Sequence, residues 1–102
     1  MPTLQDALAY MGIDYEDEAV SANVRRALNT AVQVLHGGVG ADVEQYLPDD
    51  PRIDALVLAY TDDLYSDRGV SAKVSSATRR MVADMELQLR TELARAKEAA
   101  GA

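Results

Sequence analysis

The chain has no cysteine, phenylalanine or tryptophan, and it has one histidine. Without cysteine it can form neither a disulfide nor a thiolate metal site. Five tyrosines are its only aromatic residues, which disfavours a β-sandwich because sandwich strands need more β-branched and aromatic side chains. Many of the apolar residues are alanine, so the predicted core packs helices closely through small side chains.

Positive charge is also scarce, with 10 Lys and Arg against 17 Asp and Glu and a net charge of -7. Such a protein is a poor partner for duplex DNA, because binding there depends on neutralising phosphates. It is also a poor partner for an anionic membrane surface. A net negative charge suits a surface that DNA passes without binding. No apolar run approaches membrane-spanning length and no signal peptide is visible, so we expect a protein made in the cytoplasm.

Apolar residues recur at helical spacing, and no segment alternates as a strand does. We therefore predict one all-α domain over residues 1–102, a small bundle of about four helices with a long C-terminal helix. The predicted helices cover about 3–11, 14 to the Gly37-Gly38 pair, 51–65 and 75–97. The connection over 40–48 is predicted to contain one helical turn.

Several residues mark where these helices begin and end. Thr3 is predicted to cap the first helix, and Gly12 followed by Ile13 fits a left-handed stop. Asp50 lies at a capping position, and Pro51 lies at the first position of the next helix. These signals separate the first three helices without long loops.

The C-terminal helix is predicted to be longer than a bundle of this size needs, at roughly 34 Å. Leu87 points away from its apolar stripe, and the residues after Gln88 are expected to lie beyond the domain body. The first half of the helix, up to Gln88, is expected to cover the apolar faces of the other helices. The apolar stripe consists of Thr78, Met81, Val82, Met85, Leu89 and Leu93.

No set of catalytic residues is evident, and neither a P-loop, a dinucleotide fingerprint nor a zincin motif is present. We therefore predict a protein that is not an enzyme and has no catalytic residues, metal ligands or cofactor. His36 is interpreted as a structural residue at a helix end. The acidic run over 14–18 resembles a calcium loop only loosely, since Arg25 stands where the closing Glu belongs, and helix-start charge is the preferred interpretation.

Three short segments suggest a family. The run 64–68 has the pattern Leu-Tyr-x-x-Arg at a helix end, 85–90 reads Met-Glu-Leu-Gln-Leu-Arg, and 11–14 reads Met-Gly-Ile-Asp before an acidic helix start. Together they resemble the head–tail connector (adaptor, or head completion) proteins of long-tailed bacteriophages, which are small and all-α. The resemblance covers about 4–95. A subgroup of this family has Gly at the position of Thr91 in this chain. Thr at this position lets the helix continue.

The resemblance implies a structural role in virion assembly. Family members form a ring beneath the portal after the capsid is filled with DNA, and their C-terminal segment docks on the portal. The implied partners are the portal protein ring, neighbouring copies of the chain, and the next head-completion or tail protein. DNA would pass through the channel without sequence-specific binding, and no membrane is involved. The expected location is the head–tail interface of the virion, after synthesis in the host cytoplasm.

Two groups of residues are predicted to have a role in this chain. Tyr65 and Arg68 are predicted to form a loop and helix-end motif, with Tyr65 packed beneath the loop and Arg68 bonded to helix-end carbonyls or to Asp62 and Asp63. Within the C-terminal helix, Leu89 and Leu93 are predicted to be apolar anchors for a partner. The predicted portal or subunit docking residues are Leu87, Leu89, Arg90, Leu93, Arg95 and Lys97.

Two other classes of function remain as alternatives. A helical protein- or DNA-binding regulator would need a basic recognition helix, and no predicted helix is basic enough overall. A small hydrolase or metalloenzyme would need a general base or a ligand set. An assembly role requires neither feature.

Overall fold

The computed structural model describes residues 1–66 and 76–101, with the backbone alone over 76–79. This part of the chain contains helices and no strand, which confirms the predicted all-α class with a long C-terminal helix. The turn expected between the second and third predicted helices is present as a separate short helix. The five helices are α1 (Leu4–Tyr10), α2 (Glu18–Gly38), α3 (Val43–Tyr46), α4 (Pro51–Ser66) and α5 (Ser76–Gly101).

Both ends of α1 are fixed by local hydrogen bonds. The Thr3 hydroxyl accepts a bond from the Asp6 N–H at 3.1 Å, and the Asp6 carboxylate accepts one from the Thr3 N–H at 2.9 Å. This reciprocal pair is a capping box. At the other end Gly12 has φ +74°, and the Ile13 N–H donates to the Leu8 carbonyl at 2.9 Å. The predicted cap and left-handed stop are therefore confirmed.

The start of α2 corrects the prediction, because the helix begins at Glu18 and not near Asp14. The Asp17 carboxylate accepts hydrogen bonds from the N–H groups of Ala19 at 2.9 Å and Val20 at 3.1 Å. A capping side chain bonded to the second and third helical residues defines the helix start. The preceding acidic residues therefore belong to an exposed turn between α1 and α2.

The end of α2 and the start of α4 lie close to their predicted places. Both Gly37 and Gly38 are helical, and Gly38 is the last residue of α2. Pro51 is the first residue of α4, where its missing N–H costs no hydrogen bond. The Asp50 carboxylate accepts from the Arg52 N–H at 3.0 Å, which confirms Asp50 as a helix-start residue.

The core forms where α4 packs against α2 and α5, and α5 also contacts α3. Helix α1 packs on α2 and α4. Small residues such as Ala31 allow close approach of the helices. The main buried cluster consists of Leu28, Ala31, Leu35, Val39, Val43, Ile53, Leu56, Val57, Leu89 and Leu93.

The position of α5 corrects the expectation for its second half. In the first half Val82 and Met85 pack against the core cluster as expected, and the second half packs on the domain as well. Leu89 and Leu93 are 0% and 3% exposed, so they are core residues of their own chain, whereas Met81 is 63% exposed. The second half of α5, after Gln88, packs on the domain because the connection after α2 folds against it. A Cβ atom at Gly40 would lie 2.5 Å from Leu93 Cδ2, so a glycine permits this approach. Thr78, the first residue of the predicted stripe, lies outside the described side chains.

The expectation that the residues after Gln88 lie beyond the domain body is therefore wrong, since this segment contributes two buried leucines to the core. We expect Leu89→Ala to lower the free energy of unfolding by about 2–5 kcal/mol. Leu87→Ala, at a side chain that is 57% exposed, should change it by no more than about 0.5 kcal/mol. Urea unfolding followed by circular dichroism measures both. Equal effects of the two substitutions would contradict the burial of Leu89.

Candidate docking surface

Arg52 joins the start of α4 to α5. Its Nε donates to Asp50 Oδ1 at 2.9 Å and its Nη2 to Asp50 Oδ2 at 2.6 Å. On the other side, Nη1 donates to Glu92 Oε1 at 3.1 Å and to Gln88 Oε1 at 3.3 Å, and Nη2 also binds the Glu92 carboxylate. The hydrogen bonds that Arg52 donates to Asp50 and then to Glu92 hold the pKa of Arg52 above its usual value. One guanidinium therefore sets the position of α5 along α4.

Two of the predicted docking residues instead bind the end of α2 and the connection that follows it. Arg90 Nε donates to the Gly38 carbonyl at 2.9 Å, which satisfies an acceptor at the end of α2. Lys97 Nζ lies 2.7 Å from Asp42 Oδ2, and this bond holds the pKa of the Asp42 carboxyl below its usual value. Both basic side chains therefore hold α5 to its own domain.

The six predicted docking residues thus fall into three environments. Leu89 and Leu93 are buried in the core of their own chain, so in this fold they are not exposed as the predicted anchors for a partner. Arg90 and Lys97 are exposed but already hold contacts within the chain. The remaining pair is Leu87 and Arg95, which are exposed.

Among the described residues, one side of α5 stays exposed along most of the helix and is here called its outer face. At 3.6 residues per turn, Leu87 lies on the side of the helix opposite Leu89. Its apolar members are small apart from Leu87, and its charges are mixed. We define this outer face by the exposed residues Arg80, Ala83, Asp84, Leu87, Thr91, Ala94 and Arg95.

Tyr65, the other predicted structural residue, is half-buried and lines a groove between α2 and the end of α4. The volume of this groove is about 170 Å³. Its partner in the predicted motif, Arg68, lies outside the described residues, as does the loop under which Tyr65 was expected to pack. The α2–α4 groove is lined by Asn23, Arg26, Ala27, Thr30, Leu64 and Tyr65.

The turn between α1 and α2 forms a second surface, which is strongly acidic. Residues 14–18, here called the acidic corner, are all exposed, and Tyr15 is 59% exposed. They border an open groove of about 670 Å³. The rest of that groove comes from α1, the turn after it and the first half of α2: Gln5, Leu8, Ile13, Ser21, Ala22 and Arg25.

Tyr60 is the least satisfied polar side chain near α5. Its hydroxyl is buried, and no group among the described residues lies in hydrogen-bonding geometry with it. Burial, followed by the nearby Glu86 charge, raises the pKa of Tyr60 above its ordinary range. The phenol therefore stays neutral and acts as a packing group that contacts the core cluster.

The remaining candidate chemistry has a structural explanation. His36 bonds to Glu44 through Nε2, which joins the last turn of α2 to α3. In the described part of the chain, no three His, Asp or Glu side chains are grouped as a metal site requires. None of the described helices is both long and apolar enough to cross a membrane.

Comparison with known proteins adds no relative. No family model matches the sequence, and neither the curated proteins nor the solved structures include a significant match.

The side-chain contacts between α5 and the rest of the domain could not be predicted from the sequence. Arg52 had no signal in the helical pattern, because its partners Glu92 and Gln88 are 40 and 36 residues away.

We expect Arg52→Gln to lower the free energy of unfolding by about 1 kcal/mol, because the side chain remains partly open to water and solvent screens its pairs. Arg95→Gln, at an exposed position of α5, should change the free energy of unfolding by no more than about 0.5 kcal/mol. Urea midpoints of the two variants provide the comparison. A parent-like midpoint for Arg52→Gln would show that the Arg52 contacts contribute no net stability.

The hydrogen bond from Arg52 lowers the pKa of the Asp50 carboxyl from the unfolded value of 3.8. The stability that this ionised carboxylate contributes is therefore present above pH 3.8 and is lost as the pH falls through the lower folded value. Asp50→Asn should unfold more easily at neutral pH and lose less stability on acidification than the parent. Urea midpoints from about pH 7 to 3 test this. Asp49→Asn, at the exposed neighbouring position, should follow the parent curve.

Proposed function

We propose that this chain is a head–tail connector subunit of a long-tailed bacteriophage, which forms a ring on the portal after DNA packaging. The observation that carries the proposal is the order of the three motif segments, 11–14, 64–68 and 85–90, along a chain with this helical order. The ring would be the attachment platform for the next neck or tail component.

The first supporting feature is the division of α5 into an inner side and an outer face. The inner side contributes Leu89 and Leu93 to the core, and this fixes the helix to the domain. The outer face carries Leu87, which is 57% exposed, and Arg95. A helix held rigidly on one side presents its other side to a partner at low entropic cost. We therefore propose that the outer face of α5 contacts the portal.

The second supporting feature is charge. The net charge of -7 disfavours tight binding to the DNA that must pass the ring. A DNA-binding regulator would instead present a basic helix. On the outer face of α5, Arg80 and Arg95 share the surface with Asp84, so this face does not provide one.

Binding to portal rings of the phage or prophage that encodes this chain tests the proposal. Negative-stain microscopy should show an added ring on the portal, and sedimentation should give the affinity. Leu87→Glu should weaken binding at least about tenfold, because it places a charge in the centre of the contact. Asn29→Glu, which adds the same charge at an exposed position of α2, should bind as the parent does.

Two results would count against the proposal in different ways. If the parent chain does not bind portal rings under any assembly condition, the connector role is wrong. If the parent binds and Leu87→Glu binds equally well while remaining folded by circular dichroism, the contact lies elsewhere on the subunit.

A further inference from the structure

We propose that the α2–α4 groove receives the acidic corner of a second copy of this chain, with Tyr15 of that copy seated in the groove beside Arg26. The proposal rests on the connector function above, for which it names the contact between neighbouring subunits. It follows from the shape of the groove, the charge of the corner and the placement of both around α2.

The α2–α4 groove has the size and lining for one large side chain. Its volume of about 170 Å³ lies below the roughly 300–1,000 Å³ of pockets that enclose a drug-sized ligand. Ala27 and Leu64 supply apolar surface, and Leu64 is 37% exposed although it is a large apolar residue. Arg26 is exposed, and among the described residues it is the one charged side chain that lines the groove.

The acidic corner has the complementary chemistry. Residues 1–24 contain five acidic residues and no Lys or Arg, so they carry -5 of the net charge of -7 and leave -2 for the rest of the chain. Asp14 and Glu16 flank Tyr15, which is 59% exposed. Tyrosine is enriched among the residues that dominate binding at interfaces, because it combines a large apolar ring with a polar tip. A tyrosine between two carboxylates therefore suits an apolar groove with one arginine.

The two surfaces lie on opposite sides of α2. Arg26, Ala27 and Thr30 of this helix line the α2–α4 groove. Ser21, Ala22 and Arg25 line the groove that borders the acidic corner. Because the two sets share no residue and occupy different sides of one helix, a chain cannot place its own corner in its own groove. Contact between two different surfaces is head-to-tail, and it forms a closed ring when successive rotations return to the start.

Disulfide trapping tests this contact directly, because the natural chain has no cysteine. Chains carrying Asp14→Cys, which keep Tyr15, are mixed with chains carrying Thr30→Cys, oxidised gently in solution or on portal rings, and separated by mass. A 14–30 cross-link should give a covalent dimer at about five times or more the yield of the control mixture. The control pairs Asp14→Cys with Ala83→Cys, an exposed position on the outer face of α5.

Charge exchange supplies a second, independent arm. Arg26→Glu in the Thr30→Cys chain should reduce the dimer yield about fivefold, and Glu16→Arg in the Asp14→Cys chain should restore it. Arg25→Glu, one residue away on the other side of α2, should leave the yield at or above the parent level. Circular dichroism confirms that each variant is folded.

The portal and cross-linking results separate the two proposals. Portal binding with the 14–30 cross-link supports both. Portal binding with no more 14–30 product than control product overturns the groove contact and leaves the connector role in place. A 14–30 cross-link without portal binding overturns the connector role while the contact between copies stands. Absence of both overturns both.

Discussion

The burial of Leu89 and Leu93 in the core cluster shared with α2, α4 and the turn after α2 is the constraint on which the rest of the structure depends. Each fully buried leucine contributes about 1.5–3 kcal/mol, whereas a partly exposed ion pair contributes about 1 kcal/mol or less. The apolar contacts therefore hold α5 on the domain. The polar contacts of Arg52, Arg90 and Lys97 surround them and fix the register of the helix.

Much of the local structure could be predicted from the sequence, because caps and stops depend on neighbouring residues. The Thr3 cap, the Gly12 stop and the Asp50 helix start are examples. The start of α2 was misplaced because several acidic residues precede it, and only the geometry shows that Asp17 is the capping residue. Local pattern therefore predicts that a helix exists more reliably than where it begins.

The tertiary role of α5 could not be read from its own periodicity. The stripe showed correctly that Met85 and Leu89 share a side, but not how far along the helix the other elements reach. The turn over 39–43 covers the second half, while Met81 stays exposed in the first. For the candidate docking surface, this leaves the outer face around Leu87 in place of the predicted leucine anchors. The proposed connector role therefore relies on a surface that the core of the chain does not use.

Hydrogen exchange measured by mass spectrometry along α5 tests most directly whether its second half belongs to the core. Amides over 88–97 should exchange as slowly as those in the middle of α4, with protection lost in one step as the whole domain unfolds, because both segments share one buried cluster. Rapid exchange over 88–97, with protection retained in α4, would show a helix that projects from the domain and would contradict this account.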